Sequence, residues 1–331
     1  MSAHDLPTPA LVIDLPAYGR NVSTMSEALP GPRLRPHVKA FKSTAMARDL
    51  ADRGHRTFCA ATSHEIEGMA SAGLREDLLL ANESVDRERL ARLAALDARV
   101  TVAVDSEETI AAAAEAGIRE VLIDVLVGFR CGCEPEEAGR LADLARSSGL
   151  EVRGTMGYEA HVVLNPDRSE RERLLKEAMD RLERAHADVG GDVISGGGTG
   201  TYDLNRTCNE IQAGSFTLMD TEYAKLDIPF ELALYVQATV ISVAGGTAVC
   251  DAGLKSLGMD HGDPTIDDAD VFYCSDEHVV FVPREGWSPQ VGDTVRVWPA
   301  HVDPTVAKHE RFHLVDGDEV VDTWEIDLRH W

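Results

Sequence analysis

Arg35-Pro36-His37-Val38-Lys39-Ala40-Phe41-Lys42-Ser43 is the first stretch in which a short strand pattern hands over to a helical one. Strand alternation puts Arg35, His37 and Lys39 on one face and Leu34, Pro36 and Val38 on the other, so polar groups converge where the strand ends. A lysine held there, out of water or beside other cations, sheds its proton more readily and can attack a carbonyl carbon. The ordinary alternative is a solvated surface charge. The chain has only six lysines, and placing Lys39 and Lys42 three residues apart is a concentration that solubility does not require.

The same handover recurs along the chain. An opening strand at 10–14 and a helix over 15–29 precede eight candidate strands: 34–39, 57–62, 77–82, 100–105, 121–126, 152–158, 192–197 and 210–218. Helical stretches at 43–52, 64–72, 85–96, 107–116, 134–147 and 169–187 lie between them. Eight strand and helix units predict a TIM-type (β/α)8 barrel, with a doubly wound sheet as the alternative. From about Ile228 the helical period vanishes, and β-branched runs at 236–243, 278–282, 294–297 and 319–324 alternate with turns such as Ala244-Gly245-Gly246 and Asp316-Gly317-Asp318. The expected domains are therefore a barrel over 1–227, whose first residues are candidates to join the second domain, and a C-terminal β-rich domain over 228–331.

Composition narrows the function classes. Of 331 residues 44% are hydrophobic, yet no apolar run approaches the roughly 20 residues of a bilayer span. The first residues, Met-Ser-Ala-His-Asp-Leu-Pro-Thr-Pro, show neither the basic nor the apolar region of a signal peptide, so a cytoplasmic protein without a membrane partner is expected. With 57 acidic against 32 basic residues and a net charge of −25, nucleic acid is excluded as a partner, because phosphate binding needs a positive face. Such an acidic surface suits strong salt, where screening relieves self-repulsion, and a salt-loving source is expected. The six cysteines show no CxxC pair, and Cys131-Gly132-Cys133 is too close for an ordinary disulfide or zinc knuckle, so reduced thiols are expected.

Barrel active sites gather at the C-terminal ends of the strands. Here those ends carry Lys39, Ser63 with His64, Asn82 with Glu83, Asp105, Arg130, Tyr158 with Glu159 and His161, and the run Ser195-Gly196-Gly197-Gly198-Thr199-Gly200-Thr201. The last is glycine-rich and follows the seventh strand, so its backbone N–H groups can converge on an anion, with Thr199 or Thr201 adding a hydroxyl; Gly214-Ser215 after the eighth strand would complete the cup. Arg130 can donate to a phenolate or carboxylate or form a surface ion pair, and the sequence leaves both open. His301-Val302-Asp303, read as a strand, sends imidazole and carboxylate to one side, where they can share a divalent ion or bond to each other.

Arg35-Pro36-His37-Val38-Lys39, Gly128-Phe129-Arg130-Cys131-Gly132, Gly157-Tyr158-Glu159-Ala160-His161, Ser195 to Thr201, Glu210 to Ser215 with Asp220 and Tyr223, Asp251 to Lys255, Glu277-His278 and His301-Val302-Asp303-Pro304-Thr305 together resemble one family over nearly the whole chain. It is the fold-type III, alanine-racemase-like pyridoxal phosphate enzymes, in the D-threonine aldolase and D-serine dehydratase group. The resemblance implies that Lys39 rather than Lys42 carries pyridoxal 5'-phosphate. It implies that Arg130 and Tyr158 contact the cofactor ring and its phenolic oxygen, and that Gly198, Thr199, Gly214, Ser215 and Tyr223 line its phosphate and pocket. His301 and Asp303 become the metal ligands; the aldolases resemble HxD with manganese or magnesium, the zinc dehydratases HxC. The implied reaction is cleavage of a D-3-hydroxy amino acid to glycine and an aldehyde by a homodimer, with His161 or a metal-bound hydroxide as base. A D-serine or D-3-hydroxyaspartate dehydratase is the nearer alternative, and a noncatalytic cofactor carrier the remote one. The chain departs from the family at Phe216, where tyrosine is frequent, and at Ala60-Ala61-Thr62, which lacks a glutamine that some members carry.

Overall fold

The computed structural model describes residues 1–331. Strand β1 (Ala10–Asp14) and helix α1 (Leu15–Ala28) open the chain. Seven parallel strands follow, β2 (Thr57–Ala60), β3 (Asp77–Leu80), β4 (Val100–Val104), β5 (Glu120–Asp124), β6 (Glu151–Gly157), β7 (Val193–Gly196) and β8 (Glu210–Ile211), hydrogen-bonded in chain order. Between and before them run α2 (Thr44–Asp52), α3 (Ser63–Ser71), α4 (Arg87–Ala94), α5 (Glu107–Glu115), α6 (Ala138–Ser147) and α7 (Arg168–Val189). Four of the helices start where side chains take up orphan N–H groups: Thr62 and Glu65 form a capping box on α3, Ser106 and Thr109 another on α5, and Asp86 and Asp167 cap α4 and α7.

The expected first strand, 34–39, is corrected to two isolated parallel bridges, Leu34 to Ile211 and His37 to Cys59. They join the two edges of the seven-stranded sheet and so occupy the place of an eighth strand. Pro36 explains the difference, since it has no N–H to donate to a ladder. Arg35 N–H still reaches Ile211 C=O at 2.9 Å and His37 N–H reaches Ala213 C=O at 3.1 Å. Lys39 therefore sits in the 3-10 turn Val38–Ala40 rather than at a strand end. The eighth expected strand shrinks to Glu210–Ile211.

The remaining strands, β9 (Leu234–Ala244), β10 (Thr247–Cys250), β11 (Thr265–Ile266), β12 (Ala269–Cys274), β13 (Val279–Pro283), β14 (Thr294–Trp298), β15 (Arg311–Asp316) and β16 (Glu319–Glu325), form one antiparallel-rich sheet with β1. The order β10-β13-β12-β11-β14-β9, with β9 pairing back to β10, closes a small barrel; β1, β15 and β16 extend it beyond β9. A short helix, α8 (Val302–Ala307), interrupts it. Two compact units result: 25–39 with 47–214 and 330–331, and 1–24 with 40–46 and 215–329. The sequence reading placed the boundary at 227/228 with the first residues as candidates for the second domain, and β1, pairing with β9 and β15, lies in the β unit.

Charge fills the end of the parallel barrel opposite the strand C-termini. Arg35, 1% exposed, donates to Glu210 at 2.9 Å and to Asp77 at 3.2 Å. Arg153 holds Asp77 through two nitrogens at 3.0 and 2.8 Å and donates to Thr101 at 2.7 Å. Asp77, Glu210 and Thr101 stand at or beside strand starts, so the network forms the barrel's floor.

Candidate active site

In the parallel-barrel unit all strands run one way, so the residues following them share one end. Lys39 lies two residues beyond the His37 bridge, between Val38 and Ala40, both without exposed surface, and its N–H lies 3.4 Å from His37 Nδ1. Gly214 follows Ala213, whose carbonyl accepts His37 N–H.

Arg130 belongs to a loop after β5 that is tied at its base. Leu126 N–H donates to Cys133 C=O at 2.8 Å, Cys133 N–H to Asp124 C=O at 3.0 Å, and Gly132 N–H to Asp105 Oδ2 at 3.3 Å. Arg130 adopts φ +91°, a left-handed conformation that costs a non-glycine residue on the order of 1–3 kcal/mol. In return its guanidinium lies 5.4 Å from the centre of the Tyr158 ring. Burial, reinforced by a hydrogen bond with Glu83 and the charge of Asp105, pushes the Asp124 carboxyl well above the usual range. Burial and Glu83 also push Cys131 up to about 11, so this exposed thiol is not a nucleophile near neutral pH.

His161 is exposed and lies against the same loop. Its ring is 5.9 Å from that of Phe129, and a Cβ on Gly128 would come 2.3 Å from both its Cε1 and Nδ1. Glycine is thus required for the ring to lie there, and Nε2 is the nitrogen turned away from the backbone.

After β7 the glycine-rich run forms a buried turn. A Cβ on Gly196 would meet Gly157 C=O at 2.4 Å, and one on Gly198 would lie 3.6 Å from Tyr158 Cε2 and 3.4 Å from Val163. The turn and the Tyr158 ring are therefore neighbours, with Thr199 1% exposed beside them. A glycine-lined cradle rich in backbone N–H and hydroxyl groups, next to an aromatic ring, suits a phosphate on a planar cofactor.

In the β unit, the expectation that alternation along a strand brings His301 and Asp303 together is corrected. His301 is the N-cap of α8 and Asp303 lies in its first turn, where Pro304 is tolerated because the N–H it lacks would have no partner in the helix anyway. Asp220, fully buried, accepts Val302 N–H at 2.9 Å and Tyr223 N–H at 2.9 Å, so one carboxylate ties the turn of Tyr223 to the start of α8. Burial pushes Asp220 up to about 6, with Asp303 adding to the rise. Ser215 opens a buried 3-10 turn, Ser215–Thr217.

Sequence reading missed Asp260 and His261. They lie 41 and 40 residues before His301, too far for spacing to reveal them. Their ligand atoms and that of His301 all lie within 4.8 Å of one another. The His261 and His301 rings, however, stack 3.8 Å apart with planes 6° from parallel. A metal sits in the plane of the imidazole that binds it, so an ion in the plane of one ring stands well out of the plane of the other. As arranged, the two histidines do not chelate one ion. Asp260 Oδ2 is instead 2.8 Å from His301 Nδ1, the outer contact that leaves Nε2 of a metal-binding histidine available. An imidazole nitrogen such as His301 Nε2 and a carboxylate such as that of Asp303 are donor types that suit a divalent ion.

Residues 13–222 match the family model "Alanine racemase, N-terminal domain", and residues 233–315 match "Putative serine dehydratase domain". The chain belongs to the alanine racemase-like family. Among its relatives, a D-threonine aldolase of Arthrobacter sp. is 32% identical over 97% of this chain and 92% of its own length. A 3-hydroxy-D-aspartate aldolase of Paracoccus denitrificans (strain Pd 1222) is also 32% identical, over 99% and 94%. The crystal structure of a D-threonine aldolase from Filomicrobium marinum superposes with a TM-score of 0.92 at 34% identity, covering 98% of this chain and 96% of that one. An alanine racemase-like fold, a parallel TIM-like barrel followed by an antiparallel β-barrel, is thus established, and the fold family implies pyridoxal phosphate.

Proposed function

We propose that this protein is a pyridoxal phosphate- and metal-dependent lyase that cleaves D-3-hydroxy amino acids, D-threonine-like, to glycine and an aldehyde. The observation that carries the reading is the full-length likeness to two aldolases of D-3-hydroxy amino acids, in a chain that keeps a lysine, a ring-flanked glycine turn and an HxD pair. When bound, the cofactor supplies an electron sink for the charge left at Cα, and a manganese or magnesium ion acidifies the substrate's β-hydroxyl.

The chain's own residues have these roles in the reading. Lys39 holds the cofactor. Arg130 donates to its phenolic oxygen and Tyr158 borders its ring, while Gly198, Thr199, Gly214 and Ser215 receive the phosphate and Tyr223 lines the pocket. His301 Nε2 and Asp303 hold the metal, with Asp260 fixing the His301 tautomer. His161 Nε2 takes the β-hydroxyl proton. As that O–H bond breaks, the C–O bond becomes a carbonyl, the Cα–Cβ pair goes to Cα, and a proton then restores glycine. Six free cysteines suit the cytoplasm. The working form in this reading is a homodimer, and a monomeric mass at sedimentation equilibrium would overturn that part.

Incubation with D-threonine tests the reaction. Acetaldehyde with glycine, lost in EDTA and restored by manganese, is expected; 2-oxobutyrate with ammonia would establish the dehydratase in its place, and an imine absorbance band without turnover the carrier.

A further inference from the structure

One buried charge in the barrel unit takes no part in this reaction. Glu159 has no exposed surface, and burial pushes its carboxyl above the usual range against the hydrogen bonds it accepts. A carboxylate is costly to bury, and it persists only where its lone pairs are satisfied. Its partners come from both ends of one turn. Gly197 N–H donates to Oε2 at 3.2 Å, the Thr201 hydroxyl donates to Oε1 at 2.7 Å, and Thr201 Oγ1 in turn accepts Gly198 N–H at 3.1 Å.

We propose that Glu159 is a positioning residue of the anion-binding turn, clamping Gly197 to Thr201 so that Gly198 and Thr199 present a fixed cradle to the phosphate of the cofactor. The proposal rests on the reading that this turn receives that phosphate. The physical case begins with the turn itself. A run of glycines has little conformational preference of its own, and Gly197 at φ +75° holds a conformation that most residues avoid. Within the turn Thr201 N–H donates to Gly198 C=O at 3.1 Å, and contacts from outside add to what selects one shape. The neighbouring side chains only bound it: a Cβ on Gly197 would meet Ile211 at 3.1 Å, and one on Gly198 would be in ordinary contact with Val163 and Tyr158. Glu159 spans the turn from the Gly197 N–H to the Thr201 hydroxyl.

Charge supports the same role. A negative group beneath an anion site works against attraction, so what Glu159 contributes there is orientation. It occupies the N–H of Gly197, and through Thr201 that of Gly198, which fixes the direction in which the chain leaves toward Thr199 and Gly200. Glu159 also follows Tyr158 directly, so the strand end that sets the ring sets the clamp as well.

The substitution Glu159→Gln keeps the size but puts a donor where two donors now arrive. It must either face Gly197 N–H or force the Thr201 hydroxyl to turn, releasing Gly198. Thr201→Val removes the relay alone and serves where Glu159→Gln fails to fold. The experiment measures dissociation constants of pyridoxal 5'-phosphate and of pyridoxal, which lacks the phosphate, by imine absorbance on the cofactor-stripped full chain. It compares the wild type, both variants and Thr199→Val, with inorganic phosphate as competitor.

Glu159→Gln and Thr201→Val are expected to weaken pyridoxal phosphate by about tenfold to a hundredfold, as for a buried hydrogen bond lost, while leaving pyridoxal within about twofold. Phosphate competition should weaken in parallel. Equal losses for both ligands would overturn the proposal, because a merely structural role does not distinguish them; so would unchanged or tighter binding of pyridoxal phosphate. Thr199→Val separates the two layers. If it removes the preference for the phosphorylated ligand and the Glu159 and Thr201 variants do not, the clamp is refuted and the phosphate site stands. If it leaves the preference intact, the phosphate reading of the turn fails.

Discussion

Gly128→Ala offers a direct test of His161. The added Cβ would stand 2.3 Å from His161 Cε1 and Nδ1, whereas non-bonded carbon contacts settle near 3.5–4.0 Å. The ring must therefore retreat by about 1.2–1.7 Å, beyond the ~1 Å misplacement that can cost about a hundredfold in rate. The backbone accepts alanine, since Gly128 is not among the residues at positive φ, and His161 is exposed enough to swing aside. Folding and cofactor occupancy should then be unchanged while the proton acceptor is displaced. The assay is kcat and KM for D-threonine cleavage, with imine absorbance and Tm as controls. A fall in kcat of about fiftyfold to a hundredfold, with KM and absorbance nearly constant, is expected. In a His161→Ala background the same substitution should add almost nothing, since the two act as one unit. Full additivity in that background, or unchanged kcat in the single variant, would refute the assignment.

The barrel floor sets a second expectation. Against the effect of burial, hydrogen bonds and charge from Arg153 and Arg35 hold Asp77 below the usual carboxylate range. A depressed folded pKa means that its contribution is present above the unfolded value of about 3.9 and is lost as pH falls below it. The Tm of the wild type should drop through that acid range, and Asp77→Asn should flatten the drop while melting lower at pH 7, where the buried Arg35 and the half-buried Arg153 lose a shared carboxylate at a cost of about 3–5 kcal/mol. Parallel Tm profiles would contradict this. With a net charge of −25, Tm is also expected to rise from low to molar KCl; a flat response would sink the reading of a salt-adapted surface.

Much of the parallel barrel was legible because its code is local. Val100 to Val104 and Val121 to Ile123 are β-branched or apolar runs, and Thr62, Asp86 and Ser106 mark the helix starts. Pro36 is equally plain in the sequence, but its effect appears only when the partners of Arg35 and His37 are known, one at Ile211 and the other at Ala213. In the β unit, β10 and β11 are four and two residues long and carry too little periodicity to announce themselves. His301 and Asp303 were read along a strand, whereas His301 caps α8 and Asp303 lies in its first turn, where Pro304 lacks only an N–H that the helix start leaves unpaired anyway. The bond from Asp260 to His301 and the clamp of Glu159 on Thr201 join positions 41 and 42 residues apart, a separation that no spacing rule reaches.

The ionic floor also constrains how this chain can change over generations. Arg35 exchanged alone leaves Glu210 without the guanidinium that faces it, and Glu210 or Asp77 lost alone leaves Arg35, with almost no access to water, one carboxylate short. Descendants can leave this arrangement only by coordinated exchange. Arg35, Asp77, Arg153 and Glu210 should accordingly be inherited as a block, replaced together by apolar residues or retained together, while the barrel's other end remains free to vary with the substrate.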